Sequence, residues 1–479
     1  MGQPGHIHQR SVHCSPALHF AGGASRVVMI NNPVFANRSL NRWLTESRLW
    51  VPVMDILLLS VIGLFALALI FDFTNGFHDA ANSVSTVVAT RVLPAKWAPA
   101  FAATFNFLAY FFIGTAVAST IAKTVKSEYA GLAVVFAALF AAIAWNFITW
   151  RFGMPSSSSH AIVGGLVGAG LAAGGIAAIS WDSVSKAAIG IVLSPAVAII
   201  IAILAMFLIG GIQKLFHMGD DHVVFKGLQL VAAGALSFGH GANDAQKTMG
   251  VMGALLLGAG YTTAGPGGSI DVPEWVALSA YGAIALGTLW GGWKIIETMG
   301  LKITTLHAAS GAAANIGASA AIFGATSLGM PISTTHAAAS SVVGAGVGSG
   351  RGANWKVVGK MLVAWVITIP AAGLVAAAIL YLTKLPTVFA WITVGAVVLT
   401  FAAWAIWAMR HTIHASDVEA ELLSNAELAT HVPVHVKLEG EGPVPDDTPS
   451  PTVLIDDIEN LAEELHIPVP GHEATHTKE

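Results

Sequence analysis

The chain has 479 residues, 55% of them hydrophobic and 10% charged, with a mean hydropathy of +0.69. Soluble chains average about 25% charged residues, so a soluble globular fold is excluded, and the single cysteine, Cys14, excludes a disulfide framework or a thiolate metal cluster. The net charge of −4 hides a split: fifteen acids against two lysines from Asp417 onward, and twelve acids against twenty-one Lys and Arg before it.

Residues 1–53 are polar, basic and almost free of acids, and they lack a small-residue cleavage site after a short apolar core. They read as a dispensable, disordered extension, with translation expected to start at Met54. Runs able to cross about 30 Å of hydrocarbon then recur near 54–71, 98–122, 131–149, 187–212, 275–293, 306–328, 357–382 and 388–409. Strands do not explain such runs, since barrel strands alternate over about ten residues. The 50 glycines lie inside the runs rather than in linkers, as expected where helices must approach closely without a hydrophobic drive. The fold class is therefore an all-α polytopic membrane protein. The charged stretch "GGIQKLFHMGDDHVVFKG" (Gly210–Gly227) divides it into a first transmembrane repeat, 54–215, and a second, 227–410, joined by a loop at 216–226. Residues 411–479 form an acidic, solvent-exposed tail too poor in apolar residues to bury a core, with one amphipathic helix expected at Ile455–Ile467.

Two unlike motifs occur twice, in the same order. "GFHDAANSV" from Gly76 matches "GANDAQKTM" from Gly241, and "GMPSSSSHAIVGGLVGAG" from Gly153 matches "GMPISTTHAAASSVVGAG" from Gly329. Internal duplication follows, and in transporters such repeats bring broken helices together near the midplane, where substrate binds. On one helix over 75–86, Asn75, His78, Asp79, Asn82, Ser83 and Thr86 form a polar stripe opposite Ala80, Ala81, Val84, Val87 and Val88. In the second copy His240, Asn243, Asp244, Lys247 and Thr248 share a face, and Gln246 is the exception on the other. Ionisable groups at membrane depth cost about 3 kcal/mol even on gentle scales, and aspartate is too short to snorkel. Asp79 and Asp244 therefore read as functional, whereas His78 and His240 could equally be packing residues.

In the second motif, Gly153 and Gly329 permit a turn, Pro155 and Pro331 suit a first helical turn, and hydroxyl runs follow. Each then enters a short Gly/Ala-rich segment, 161–175 and 337–349, expected to be a re-entrant half-helix. Two helix N-termini with free N–H groups make an anion cradle without arginine. Ser156, Ser157, Ser158 and Ser159, with Ser333, Thr334 and Thr335, would add hydroxyls, and His160 and His336 close the runs as supporting residues. Phosphate near neutral pH still carries a P–OH donor that carboxylates can accept, and sulfate does not. Where the first copy has Asn82 the second has Lys247, an ammonium that would compete with sodium at an oxygen-ligand site. A coupling proton, on a histidine or a buried carboxylate, is the simplest replacement.

"NGFHDAANSVSTVVATRVLP", "GHGANDAQKTMGVM" and the paired Ser/Thr–His segments closely resemble the inorganic phosphate transporter family, in its bacterial low-affinity, proton-coupled branch. The resemblance covers roughly 54–410. It implies uptake of inorganic phosphate through the plasma membrane, with divalent metal–phosphate complexes as substrates, inverted repeats, about ten to twelve membrane segments and a lipid-embedded homodimer. It implies no cofactor, no fixed metal site and no nucleic acid. Sodium-coupled members carry Asn-Asp followed by Asn in both motifs; His78 and Lys247 depart from this, which puts sodium coupling in doubt. A sulfate or other oxyanion transporter of the same fold stays open, as does a divalent metal channel built on His78, Asp79, His240 and Asp244. A membrane phosphatase is disfavoured, because Arg91, Arg151, Arg351 and Arg410, the arginines of the body, lie off the polar stripes and hydroxyl runs.

Overall fold

The computed structural model describes residues 56–262 and 272–431, and from Leu59 onward they belong to one unit. Apart from an isolated bridge between Val125 and Ile179, the regular structure described is helical. The first copy comprises α1 (Ile56–Asp79), α2 (Ala81–Ala89), α3 (Ala98–Leu108), α4 (Ala116–Ala122), α5 (Leu132–Arg151), α6 (Ser158–Gly174) and α7 (Trp181–Phe216). The second comprises α8 (Val223–Gly258), α9 (Glu274–Trp290), α10 (Trp293–Glu297, running on as a π-turn to Lys302), α11 (Ala308–Ser327), α12 (Thr334–Gly348) and α13 (Trp355–Thr383). Then come α14 (Thr387–Arg410) and α15 (Ala415–His431). The duplication is thus visible element by element: a signature helix, a short broken pair, a 20-residue helix in each copy, a short helix and a long one.

Among the described residues eight helical stretches are long and apolar enough to cross a membrane, or nine if the pair α3 and α4, bent by 89°, is one broken span. The run at 98–122, expected as one crossing, is that broken pair. Counting the shorter α9 and α12 as well brings the number into the expected range. Outward positions are apolar: Val192, Val366 and Trp391 are 72%, 76% and 77% exposed, which suits lipid and not water.

The copies interlock. Helix α6 packs along α13, and α12 packs along α7, so each short helix lies against the long helix of the other repeat. The signature helices are exchanged in the same way. A Cβ on Gly76 would collide with the Ile284 carbonyl of α9, and one on Gly241 with the Asn106 carbonyl of α3. Only glycine admits these approaches, which accounts for its place in both motifs.

The loop between the repeats is clasped to the second. Asp220 pairs with Arg351 at 2.6 Å, and its carbonyl accepts from Ala309 N–H. Asp221 accepts from Ala308 N–H at 2.9 Å and lies 3.1 Å from His307 Nδ1, capping α11. The Arg351 hydrogen bond, against opposing burial, holds Asp220 below the usual carboxylate range. For Asp221, burial pushes up but the Ala308 and His307 bonds outweigh it, and the net direction is down.

Residues 1–53 and the helix expected at Ile455–Ile467 lie outside the described residues. The tail differs from expectation where it is described: α15 folds back, with Val418 buried, its side packed on α10, and the Leu422 carbonyl accepting from Arg91.

Candidate functional site

The chain between α5 and α6, and between α11 and α12, is built alike. Gly153 and Gly329 take left-handed φ values of 62° and 64°, and Met154 and Met330 donate back to Thr149 and Ala325, closing the preceding helix in a Schellman turn. The sequence placed the prolines in the first helical turn; they stand instead in the extended segment before it. Ser157 and Ser333 are the N-caps. Their hydroxyls accept from His160 and His336 N–H at 3.1 Å each. These two serines, expected to hold substrate, accept the capping bond on one lone pair each.

The signature helices run through both motifs, as expected. Ala80 between α1 and α2 keeps helical angles (φ −49°, ψ −34°) and its carbonyl accepts from Val84 N–H, so residues 57–89 form one helical span, as α8 does through Asp244 and Lys247. Each of Asn75, His78, Asp79, Asn82, His240, Asn243, Asp244, Lys247, and the hydroxyl runs, is at most 3% exposed. Asp79 Oδ1 accepts from Thr335 at 3.1 Å and meets His78 Nδ1 at 2.7 Å, while its Oδ2 accepts from Ser158 at 3.0 Å. Asp244 Oδ1 accepts from the Lys247 ammonium at 2.5 Å, and its Oδ2 accepts from Asn75 at 3.1 Å. Thr334 lies 3.4 Å from both carboxylates.

The contacts pair up under the duplication. Asn82 donates to Thr335 on α12, and Lys247 donates to Ser159, the matching position on α6. Asn75 reaches across to Asp244, while His240, its counterpart, places Nε2 3.8 Å from Asp79 and 3.7 Å from Asp244. Asp79, His240 and Asp244 offer atoms within 4.8 Å of one another. The centre is thus rich in acceptors and ringed by hydroxyls with one ammonium. Such a centre suits a cation, or an oxyanion that brings a proton or a metal with it.

Other expected residues are used differently. Asn243 donates to Thr326 at 2.9 Å and so fixes the entry to α12; His78 Nε2 likewise meets Thr149 at 3.1 Å. The rings of His160 and His336 stand edge to face at 4.3 Å, with His336 stacked on Trp365 at 3.8 Å, behind the hydroxyls. Gln246, the exception in its motif, accepts from Val117 and Ala118 N–H and caps α4.

A profile described as the phosphate transporter family matches the chain twice, over residues 75–223 and 213–376. The chain belongs to the phosphate transporter family. The probable low-affinity inorganic phosphate transporter of Rhizobium meliloti (strain 1021) is 46% identical over 324 residues, covering 66% of this chain and 94% of that protein. The relative of the same description in Bacillus subtilis (strain 168) is 42% identical, covering 66% and 95%. A solved structure titled the sodium-dependent phosphate transporter superposes with a TM-score of 0.60 at 26% identity, covering 68% of this chain and 99% of that one. The chain is thus an integral, multi-pass membrane protein of a transporter family.

Sequence reasoning passed over Asp72. It lies one turn before Asn75, so it extends the same stripe, and it is fully buried with Thr248 donating to its Oδ1. The spacing Asp72, Asn75, Asp79 was the available signal. Thr149 and Asn106 bond the two signature histidines; Thr149 shares a face with Asn146 one turn earlier in an otherwise apolar helix, a weak signal, and Asn106 had none.

Proposed function

We propose that this phosphate transporter imports inorganic phosphate in symport with protons, as a neutral complex with a divalent metal, through a site shared by two inverted repeats. Asp79 and Asp244, with His240 between them, take the metal of the complex. Ser158, Ser159, Thr334, Thr335 and the Lys247 ammonium take the phosphate oxygens. Asn75 and Asn82 bridge the halves, with His78 and Asn243 orienting the motifs. A bare phosphate dianion would meet two carboxylates, whereas a neutral metal–phosphate complex presents a cation to them and oxygens to the hydroxyls. The homodimer implied by the family resemblance belongs to the same reading.

The observation that carries proton coupling is the Lys247 ammonium, buried and bonded to both Asp244 and Ser159. In the first repeat the matching position is an amide, Asn82, and Thr335 donates directly to Asp79. A fixed cation therefore occupies in one repeat the place where a sodium ion would sit between carboxylate and hydroxyl. The test is uptake of labelled phosphate into proteoliposomes with pH and sodium gradients imposed separately. Accumulation driven by the pH gradient supports the reading; accumulation driven by sodium alone overturns it. Omission of divalent metal should lower uptake if the complex is the cargo.

A further inference from the structure

Three carboxylates are buried on the signature helices, and they are not equally provided for. Asp79 has His78 and three hydroxyls, and Asp244 has Lys247 and Asn75. Asp72, 0% exposed on α1, has a single hydroxyl donor, Thr248, on Oδ1. Its Oδ2 has no hydrogen-bond partner among the described residues, and neither has the Tyr281 hydroxyl of α9, a residue only 1% exposed. The two lie close enough for the Asp72 charge to act on the phenol. From α8, Asp244 and Lys247 also act on Asp72, and its own helix brings His78 and Asp79 two turns further on.

An ionised carboxylate stripped of water needs several donors or a cation, and Asp72 has one hydroxyl. Protonated, its Oδ2 becomes a donor, and a proton there removes the uncompensated charge. Thr248 is the next residue after Lys247, so the group is tied to the helix that carries the asymmetric site while standing outside it.

Building on the proton-coupled reading, we propose that Asp72 is the residue that carries the co-transported proton, held on its Oδ2 in this closed arrangement beside Tyr281 and released when α1 and α8 part. The proton comes from water on the side where the site opens and returns to water on the other. Asp79 and Asp244 then stay ionised for the cargo throughout the cycle. Tyr281 is a positioning residue.

The experiment uses the full chain in proteoliposomes with labelled inorganic phosphate and magnesium. Two rates are read: accumulation under an imposed pH gradient, and phosphate–phosphate exchange at equal pH. In Asp72→Asn, which copies the protonated form, exchange should remain within about twofold while pH-driven accumulation falls by about tenfold or more. Infrared spectroscopy should show a protonated-carboxyl band at neutral pH that Asp72→Asn lacks. Accumulation like wild type in Asp72→Asn, or an unchanged carboxyl band, overturns the proposal. So does equal loss of exchange and accumulation, which places Asp72 in binding or folding. If Asp72→Asn does not reach the membrane, Asp72→Glu decides: the band and pH-driven accumulation should persist with a displaced pH midpoint, and an undisplaced midpoint overturns the assignment. A wild-type protein driven by sodium and indifferent to pH defeats the proton-coupled reading itself, a different result from any of these.

Discussion

The two signature segments carry one aspartate each and stabilise it by opposite means. Around Asp79 the donors are neutral hydroxyls and a histidine, delivered partly from α12 of the other repeat. Around Asp244 the first donor is a lysine ammonium from its own helix, three residues on. Both segments run as continuous helical spans. Duplication has therefore preserved the charge and the glycine contact while changing what neutralises the charge. A site with one carboxylate held by a histidine and hydroxyls and one held by an ammonium cannot treat two identical cations alike.

Removing either charge should break this arrangement most severely. Asp79→Asn removes the charge and turns one of the two oxygens that His78 and the hydroxyls share into an N–H donor, and Asp244→Asn leaves Lys247 buried without a counter-charge. Losing one partner of a buried pair costs about 3–5 kcal/mol, or roughly two to four orders of magnitude. Uptake of labelled phosphate, normalised to protein in the membrane, should fall to background in both. Near-normal uptake in either removes that aspartate from the site.

Lys247→Asn makes the two repeats alike at this position and sharpens the contrast directly. It should shift the balance between pH-driven and sodium-driven uptake by about tenfold; because it also takes the ammonium from buried Asp244 and so lowers stability, both rates are normalised to folded protein in the membrane. An unchanged response to both gradients would refute the lysine as a substitute for a cation.

Gly76→Ala and Gly241→Ala probe what the copies share. Each Cβ meets backbone of the opposite repeat, so each should cost about 1–3 kcal/mol by overpacking and lower the melting temperature of the purified protein. A neutral result at one of them would mean that the exchanged packing is not equivalent in the two halves.

The smallest effect belongs to the clasp between the repeats. Asp220 is depressed in the folded protein, so its stabilisation is present above its unfolded value near about 4 and is lost as pH falls through the lower folded value. Asp220→Asn should therefore lower the melting temperature slightly at neutral pH and flatten its decline towards pH about 3. An acid limb as steep as that of wild type would show that other carboxylates carry it.

Much of the site was legible in the chain. The repeated Gly76/Gly241 and Gly153/Gly329 motifs gave the duplication, the facing aspartates and the helix starts at the hydroxyl runs. Two features were not. The kink between α3 and α4 falls inside a continuous apolar run, because lipid and protein neighbours reward the same composition. Ser157 and Ser333 could not be told from their neighbours in a hydroxyl run, since which hydroxyl turns back to cap depends on where the backbone leaves the extended state.

What the sequence determined by itself was the class, the repeat and the chemical types at the site, because period and composition are local and survive without coordinates. Only the tertiary structure decided the partners. Lys247 could have been a snorkelling surface group, but burial against Ser159 of the other repeat makes it part of the site. Asp72 could have been another member of the stripe, but the helices around it bring one hydroxyl and leave an oxygen bare. Both outcomes depend on which faces of distant helices meet, and that is fixed by glycine-sized approaches between the repeats rather than by any run of neighbouring residues.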